Sequence, residues 1–446
     1  MPATMPFDKS KKRIIQAYLK GQQEDKTLRY DKLEVKGKVQ QEPIYTLNNN
    51  ELAFNKANGR IHAEVIEKEA ELGRSLNIWD QDDQKIIKDL LLSIRKDENE
   101  KIKEDLAKKG QIRPGIITCD GIVINGNRRK ALLEELYAET GEERYKYLEV
   151  HVLPSEITKS ELWLIEAGIQ MSAPQQLDYS PINNLLKLKE GIDSGLKIVD
   201  MAARIYGVTS EKMSSDLERL NLIDEYLSDF IRKPGRYYLV KGVAEHFIDL
   251  QNIISWAQRP RGPIRRDWTP DENDINEFKL VGFYYIRGGF SHWRIRDLRD
   301  IFAKKEPWEI IKYALDLDSN LTDKELCEEG LGRSSDTGET DDEDYYESLD
   351  EGGIQTAIEA RDLHEEAVWK AARKNELKTL FEDAKEKEKI IKDTERPIVL
   401  AKRALNNING IPLEPDKLDD PEIDTILQQI ITAINELRKI TRRFRA

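Results

Sequence analysis

Two consecutive arginines at the start of a predicted helix are the strongest candidates for chemistry in this sequence. Residues 122–124 have the composition of a short strand, and Gly126 separates them from a helix with Arg128 and Arg129 in its first turn. A glycine lets an anion approach the backbone, free N–H groups at a helix start attract negative charge, and arginines add charge-assisted hydrogen bonds. The pattern predicts a phosphate site at Gly126, Asn127, Arg128 and Arg129, here called the arginine box. A solvated basic helix start is the simpler alternative.

Short strands and charged helices must position this box. The Asp120-Gly121 pair predicts a hairpin turn, and Gly110 is typical of the residue that ends a helix. Apolar residues at helical spacing predict helices over 8–20, 62–110 and 156–230. The predicted strands lie at 43–47, 51–55, 114–118, 122–124 and 148–153.

A helix-turn-helix pattern follows in residues 195–222. Ala203 is small where two helices must cross closely, Gly207 permits a sharp turn, and Met213 and Leu217 are spaced to pack the second helix on the first. Ser210 is predicted to be the N-cap of the second helix. The side chains expected to face DNA are Ser210, Lys212, Ser214, Ser215 and Arg219. A protein-binding or merely packed helix pair is the alternative, because acids dilute the basic face.

These ordered motifs resemble the N-terminal domain and helix-turn-helix of ParB partition proteins and the wider ParB/sulfiredoxin superfamily. That family has a helix, Gly-Leu-x-x-Pro-Ile, a strand, Gly-Glu-Arg-Arg and a helix. This chain has Gly110-Gln111-x-x-Pro114-Gly115 and then Gly126-Asn127-Arg128-Arg129. Upstream, Phe54 to Arg60 looks like the family's first strand and Asn-Pro-x-x-Pro-Arg turn. Downstream, Ile165 to Gln170 stands where the family has Glu-Asn-x-Gln-Arg.

The resemblance implies a small mixed ParB/sulfiredoxin-like domain within a mostly helical α+β protein, and a nucleoside triphosphate at the arginine box. CTP is the first choice and ATP the second, with Mg²⁺ as a companion of the phosphates; no protein metal site is expected. The same resemblance adds Arg60 and Gln170 to the nucleotide-binding residues and Glu166 as the one candidate catalytic residue. Asn127 and Ala167 replace the family's Glu and Asn, so we expect binding without efficient turnover.

Length and composition set wider limits. The chain has 446 residues, and single cores rarely exceed about 250–300, so we expect two or three domains. Two cysteines exclude a disulfide framework, and no apolar run approaches the roughly 18–20 residues that a membrane span needs. The first residues lack the apolar segment of a secretory signal. We therefore expect a cytoplasmic protein, with association to a prokaryotic nucleoid as one form of this.

Charge is distributed unevenly along the chain. The net charge of −13 argues against a general nucleic-acid coat. Residues 336–351 contain many acids and no base, which predicts a disordered linker. Between 232 and 306 bases exceed acids, and aromatic residues interleave with arginines. This stretch either contacts nucleic acid, with Lys233 and Arg236 helping the helix-turn-helix, or forms an aromatic core with a basic rim.

The sequence predicts six segments. The last of them has apolar residues at helical spacing, including Ile426, Ile430, Ile434 and Leu437. These residues predict either a small helical hairpin or self-association. The segments are a basic helical arm (1–40), a ParB/sulfiredoxin-like domain (41–155), a helix-turn-helix domain (156–230), a basic and aromatic extension (231–333), an acidic linker (334–352) and a C-terminal helical region (353–446).

Three functions remain open from the sequence. The first is a ParB-like DNA-binding protein whose nucleotide pocket acts as a switch. The second is a nuclease or phosphotransferase on the same fold. The third is a non-enzymatic scaffold in a phage-defence or DNA-modification system. The expected partners are DNA, a second copy in a homodimer and a protein at the C-terminal helices, but no membrane.

Overall fold

The computed structural model describes all residues except 1–6, 24–26, 36, 171–178, 206, 260–263, 265, 318–356, 410–420 and 446. The predicted acidic linker at 334–352 thus lies outside the described residues. The described chain is mostly helical with one small mixed sheet, which confirms the expected α+β class. The contacts group the chain into two units, residues 1–381 and residues 382–446.

A five-stranded mixed sheet forms the centre of the region before residue 153. Its order is β3-β7-β5-β6-β4, in which β3–β7 and β5–β6 are antiparallel while β5–β7 and β4–β6 are parallel. Leu47, Ile117, Val123, Leu148 and Val150 are fully buried in its core. The strands are β3 (Tyr45–Asn48), β4 (Ala53–Phe54), β5 (Gly115–Ile117), β6 (Ile122–Asn125) and β7 (Tyr147–Val152).

Five helices surround this sheet. Asp80 caps the helix Gln81–Ser93 by accepting hydrogen bonds from the N–H groups of Asp82 and Asp83. Gly110 ends the helix Lys96–Lys109, as predicted. The predicted hairpin turn is present, and Gly121 within it has φ +94°. A Cβ at this position would lie 2.9 Å from the Glu51 carbonyl oxygen, so glycine is needed for space as well. The helices are α1 (Lys9–Gln23), α2 (His62–Leu72), α3 (Gln81–Ser93), α4 (Lys96–Lys109) and α5 (Asn127–Thr140).

The second half of the predicted N-terminal helical arm is a β-hairpin, which corrects that prediction. After α1, strands β1 (Tyr30–Val35) and β2 (Lys38–Pro43) pair antiparallel and form a sheet of their own. Among the described residues of the hairpin, only Leu33 and Val35 are buried, and β2 is almost entirely polar and exposed. Its sequence therefore lacks the apolar alternation by which a strand is recognised.

The described residues between 156 and 317 are mostly helical, as predicted for 156–230. A turn of π-helix at Tyr226–Phe230 and 3₁₀ turns at Tyr237–Val240 and Lys312–Asp316 interrupt the α-helices. The α-helices are α6 (Lys159–Gln170), α7 (Pro181–Asp193), α8 (Ile198–Ala202), α9 (Ser210–Glu225), α10 (Ala244–Gln258), α11 (Glu272–Arg287), α12 (His292–Phe302) and α13 (Lys305–Ile311).

Most aromatic residues of the basic extension form a core, which is the second of the two alternatives for this stretch. Tyr237, Tyr238, Phe283, Tyr284 and Tyr285 are buried, and neighbouring rings pack edge to face. Trp293 differs, because 64% of its surface is exposed.

The cations of this extension are held by the start of a long helix, α14 (Ala357–Asn409). Arg236 and Lys233 lie 3.3 and 3.6 Å from the carboxylate of the buried Asp362. Arg287 donates two hydrogen bonds to Glu366, and its guanidinium lies over the buried Trp369. The Lys233 and Arg236 side chains are thus engaged inside the protein, which leaves less scope for the predicted phosphate contacts.

A last helix, α15 (Pro421–Arg445), belongs to the second unit. Ile426, Ile434, Leu437 and Ile440 on it are largely exposed. Among the described residues, no helix is both long and apolar enough to cross a membrane.

Candidate functional site

The arginine box lies where β6 passes into α5. Gly126 precedes the helix with φ +110°, a left-handed conformation that favours glycine. Being a glycine, it offers no side chain to the first N–H groups of α5. A Cβ on Gly115 would lie 2.8 Å from the Asn125 carbonyl oxygen, so the start of β5 approaches the end of β6 closely. The helix start is therefore uncapped and is flanked by two glycines.

Asn127 uses both ends of its side-chain amide inside the protein. Its Nδ2 donates to the Val123 carbonyl at 2.7 Å, and its Oδ1 accepts from the Asn55 N–H at 2.9 Å. The residue is buried. The side chain thus joins the sheet to the segment after β4.

The two arginines of the box have different partners. Arg128 lies 3.3 Å from Glu98, and Arg129 donates to the carbonyl of Arg113. Burial lowers the pKa of the Arg129 guanidinium, Arg113 acts in the same direction, and Glu149 opposes them. The Arg129 guanidinium thus has both a carboxylate, Glu149, and a second cation, Arg113, in its surroundings.

Arg60 lies in the segment 55–60, which leads from the arginine box to a second polar cluster. The Arg60 carbonyl accepts from Asn183 Nδ2 at 3.2 Å, and Asn183 Oδ1 accepts from the N–H of Ala63 at 2.7 Å. A Cβ on Gly59 would collide with the Tyr179 ring. Of the other predicted nucleotide residues, Gln170 is the last residue of α6.

Glu166 lies in this second cluster as one half of a buried ion pair. Its Oε2 is 2.6 Å from Lys187 Nζ, which is 2.9 Å from Glu190. Both Glu166 and Lys187 are almost completely buried. Burial raises the pKa of Glu166, while the Lys187 ammonium and the Gly59 N–H favour its ionised form. Lys187 therefore engages the carboxylate that was the candidate for acid–base chemistry.

The helix-turn-helix has the predicted packing of Met213 and Leu217, but Ala203 is exposed at the end of α8 and is not at a helix crossing, and the cap of the second helix also differs. Gly207 has φ +71°, and Met201 of α8 is buried against Met213 of α9. The N-cap of α9 is Thr209 and not Ser210, because Thr209 has an extended backbone and its hydroxyl accepts from the Lys212 N–H. Ser210 is already the first helical residue.

The five predicted DNA-contacting residues are exposed to different degrees. Lys212 and Ser215 are exposed, whereas Ser210, Ser214 and Arg219 are half-buried. Arg219 is 2.7 Å from Asp216, and Ser215 accepts two hydrogen bonds from Gln251 of α10. Lys212 is thus the cation of this set that extends from the helix. The acids Glu211 and Glu218 are exposed as well.

Two side chains of these sites were missed from the sequence. Arg113 precedes a strand that is antiparallel to β6, and only this pairing brings it beside Arg129. Lys187 follows Leu185 and Leu186 on the buried side of α7. A lysine in an apolar stripe does indicate a buried anionic partner, although the pattern cannot say which one.

The described residues include no group of three His, Cys, Asp or Glu side chains that could hold a metal ion. Mg²⁺ therefore stays a prediction, and the phosphates of the nucleotide would supply most of its ligands.

Replacing Lys187 with Met should destabilise the protein by about 3–5 kcal/mol, because Glu166 would be left as an uncompensated buried charge. The double variant Lys187→Met/Glu166→Gln should regain much of this loss. Urea denaturation measures both values. Lys189→Met is the matched control, since the Lys189 pair with Asp224 is partly exposed and its loss should cost less than about 1 kcal/mol. If Lys187→Met and Lys189→Met had the same free energy of unfolding, the assignment of the buried ion pair would be contradicted.

No protein-family model, no curated protein and no solved structure matches this chain. The resemblance to ParB proteins therefore depends on the sequence motifs alone. Within the described residues, the fold is that of a mostly helical α+β protein with a small mixed sheet.

Proposed function

We propose that this protein is a ParB-like DNA-binding protein that takes a nucleoside triphosphate at the arginine box and uses it as a switch. One observation carries the proposal: the start of α5 has no side-chain cap, and Arg128 and Arg129 lie in its first turn. A polyphosphate matches this arrangement, because it brings several negative oxygens to a place with an excess of N–H donors. CTP remains the first choice through the resemblance. A cytoplasmic, nucleoid-associated location belongs to the same proposal.

The nucleotide would act mainly by being bound. Asn127 has no free amide atom, and Glu166 is engaged by Lys187. The carboxylate that contacts the box, Glu98, is paired with Arg128 and Arg95. With these groups engaged, nucleotide release would be set by dissociation. The nuclease or phosphotransferase alternative has no observation in its favour in the described part of the chain.

The switch would act through the segment 55–60. Asn55 bonds to Asn127 at the box, while Gly59 and Arg60 contact the cluster that includes Asn183 and Lys187 of α7. Helix α7 packs on α9 of the helix-turn-helix. A phosphate that shifts the box would thereby shift the support of the DNA-reading helix.

Arg129→Ala should weaken nucleotide binding about ten-fold or more, because a charge-assisted contact of roughly 1.5–3 kcal/mol is lost. Calorimetric titration of CTP, ATP, GTP and UTP with Mg²⁺ measures this. Lys108→Ala is the control, since Lys108 is highly exposed and pairs only with Glu104 on the surface of α4. If no nucleotide binds the wild type at millimolar concentration, the phosphate site does not exist.

Lys212→Ala should flatten the plot of log affinity for DNA against log salt concentration by about 0.9, the value for one lost phosphate contact. Fluorescence anisotropy with a duplex library measures the slope, and Lys108→Ala again serves as the control. An unchanged slope would mean that the α9 face does not touch DNA, which favours the protein-binding alternative for this helix pair.

The exposed apolar stripe of α15 favours a second role, that of an assembling scaffold. Apolar residues recur on this helix at three- and four-residue spacing and are left in water. The first half of the helix carries Asp424 and no base, whereas the second half carries Arg438, Lys439 and Arg442. Antiparallel pairing with a second copy would cover the stripe and place opposite charges together. We propose that the partner of α15 is the same helix of a second copy, so that the protein is a homodimer.

The double variant Ile434→Asp/Leu437→Asp should convert a dimer into a monomer, because each apolar side chain contributes about 1.5–3 kcal/mol when buried. Sedimentation analysis of the full chain measures the mass. Ile390→Asp is the control, as Ile390 is an equally exposed isoleucine on α14. A wild type that stays monomeric at high micromolar concentration would assign the stripe to a different partner protein.

A further inference from the structure

Helix α1 carries exposed cations that none of the sites described so far uses. Its sequence contains lysines and an arginine but no acid. Lys9, Arg13 and Lys20 are exposed, and at 3.6 residues per turn they lie within about 40° of one another around the helix. Along the helix axis they span roughly 16 Å. These three residues, here called the cationic row, form one positive side of α1.

The cationic row does not serve the stability of the helix. Lys9 and Arg13 are four residues apart, a spacing at which like charges on a helix repel each other. Lys9 also lies in the first turn, where the helix dipole disfavours positive charge. On α4, by contrast, Lys108 and Lys109 each pair with an acid four residues earlier. Among the described residues, no ion pair involves a member of the row, which indicates an anionic partner outside this chain.

Helix α1 is held in place at both ends. At its start, Asp8 accepts hydrogen bonds from two N–H groups of the first turn, and the Asp8 N–H donates to Asp120 Oδ2 at 3.0 Å. At its end, the side-chain amide of Gln22 donates to the Thr46 carbonyl and accepts from the Thr46 N–H on β3. The row is thus presented on a fixed helix, and a partner does not have to order the backbone when it binds.

The apolar side of α1 is already covered by the protein itself. Ile15 is fully buried in the core of the sheet, and Leu19 packs on the same cluster. A helix that lies on a membrane inserts its apolar side into the lipid, and that side of α1 is occupied. Ile14 and Tyr18 are only 37% and 41% exposed, and two such side chains are far less than the roughly 800 Å² that each partner of a stable protein interface buries.

Duplex DNA matches what remains of this surface. A duplex carries one negative charge per roughly 1.7 Å of its axis, so a length equal to the row presents about ten phosphates. Long lysine and arginine side chains can reach several of them without a defined base sequence. Ser10 and Ala17, which are exposed beside the row, are small. They let the helix approach a sugar–phosphate backbone closely.

We infer that Lys9, Arg13 and Lys20 of α1 form a sequence-independent contact for the phosphates of duplex DNA. Each cation contacts a phosphate oxygen, and no base is read. The contact rests on the DNA binding proposed above and adds a second DNA surface to that of α9.

The test variant is Lys9→Gln/Arg13→Gln/Lys20→Gln in the full chain. Anisotropy of labelled duplexes of about 30 base pairs, between about 50 and 200 mM salt, gives the slope of log affinity against log salt concentration. We expect the slope to flatten by about 2.7, which is about 0.9 for each of three phosphate contacts. The loss of affinity should be the same for AT-rich and GC-rich duplexes, because phosphate contacts carry no sequence information.

The matched control is Lys101→Gln/Lys108→Gln/Lys109→Gln, which removes three exposed cations from α4 and changes the net charge equally. It should leave the slope unchanged. Both triple variants are also made in the Lys212→Ala protein, so that the contribution of α1 is measured with and without the α9 contact. All replaced side chains are exposed, and each variant should unfold at the wild-type temperature.

The outcomes separate this contact from the proposed function. If the α1 variant keeps the wild-type slope while Lys212→Ala flattens it, the inference is wrong and the proposed DNA binding stands. If the wild type binds no duplex, both are wrong. Equal losses in the two triple variants would mean that net charge alone acts, which also overturns the inference. Binding to phosphatidylserine vesicles that only the α1 variant loses, with DNA binding unchanged, would make α1 a membrane contact instead.

Discussion

Two buried asparagine side chains hold the segment between β4 and α2, and both proposed sites in the first half of the protein depend on them. Asn127 accepts from the Asn55 N–H, and Asn183 accepts from the Ala63 N–H at the start of α2. No residue next to the start of α2 caps it with a side chain. Asn183, which belongs to α7, instead accepts a hydrogen bond from one of the free N–H groups in the first turn of α2. The backbone of this segment could not be buried without these partners, since an unpaired buried N–H is costly.

This arrangement also explains why polar residues lie so deep in the protein. The Glu166–Lys187 pair and the two asparagines are among the few buried polar side chains of the region. The asparagine bonds join residues 72 and 120 positions apart, and the ion pair joins the consecutive helices α6 and α7. Apolar packing alone would tolerate small sliding movements of α6 and α7, whereas hydrogen bonds fix their direction and distance. Polar contacts with the sheet region therefore set the positions of α6 and α7, the helices that support the helix-turn-helix.

Local signals predicted much of this fold. The Asp120-Gly121 pair, Gly126 and Gly207 each demand a particular backbone conformation, and the structure has a turn or a helix start at each. The polar strand β2 has no such signal, because its pairing with β1 and not its own pattern makes it a strand. The aromatic residues of the 232–306 stretch were ambiguous for another reason: rings beside arginines look alike in a core and at a nucleic-acid surface.

The candidate sites were harder to predict from the sequence than the fold, because tertiary contacts decide which polar atoms are free to bind a ligand. Asn127 and Glu166 were selected for their chemistry and their place in motifs, yet other side chains or backbone groups engage both. No sequence pattern shows that Asn55 or Lys187 would be the partner.

The strand order also governs when the sheet can form during synthesis. Strands β3 and β4 are separated by one short 3₁₀ turn, although they are the two opposite edges of the sheet. A flat sheet of this order would be about 19 Å across at a spacing of ~4.8 Å per strand pair, so the sheet must curl until its edges approach each other. Within the sheet, strand β3 pairs only with β7, which is made some hundred residues later. During synthesis, β3 therefore has no strand partner until Val150, its last partner in β7, has left the ribosome.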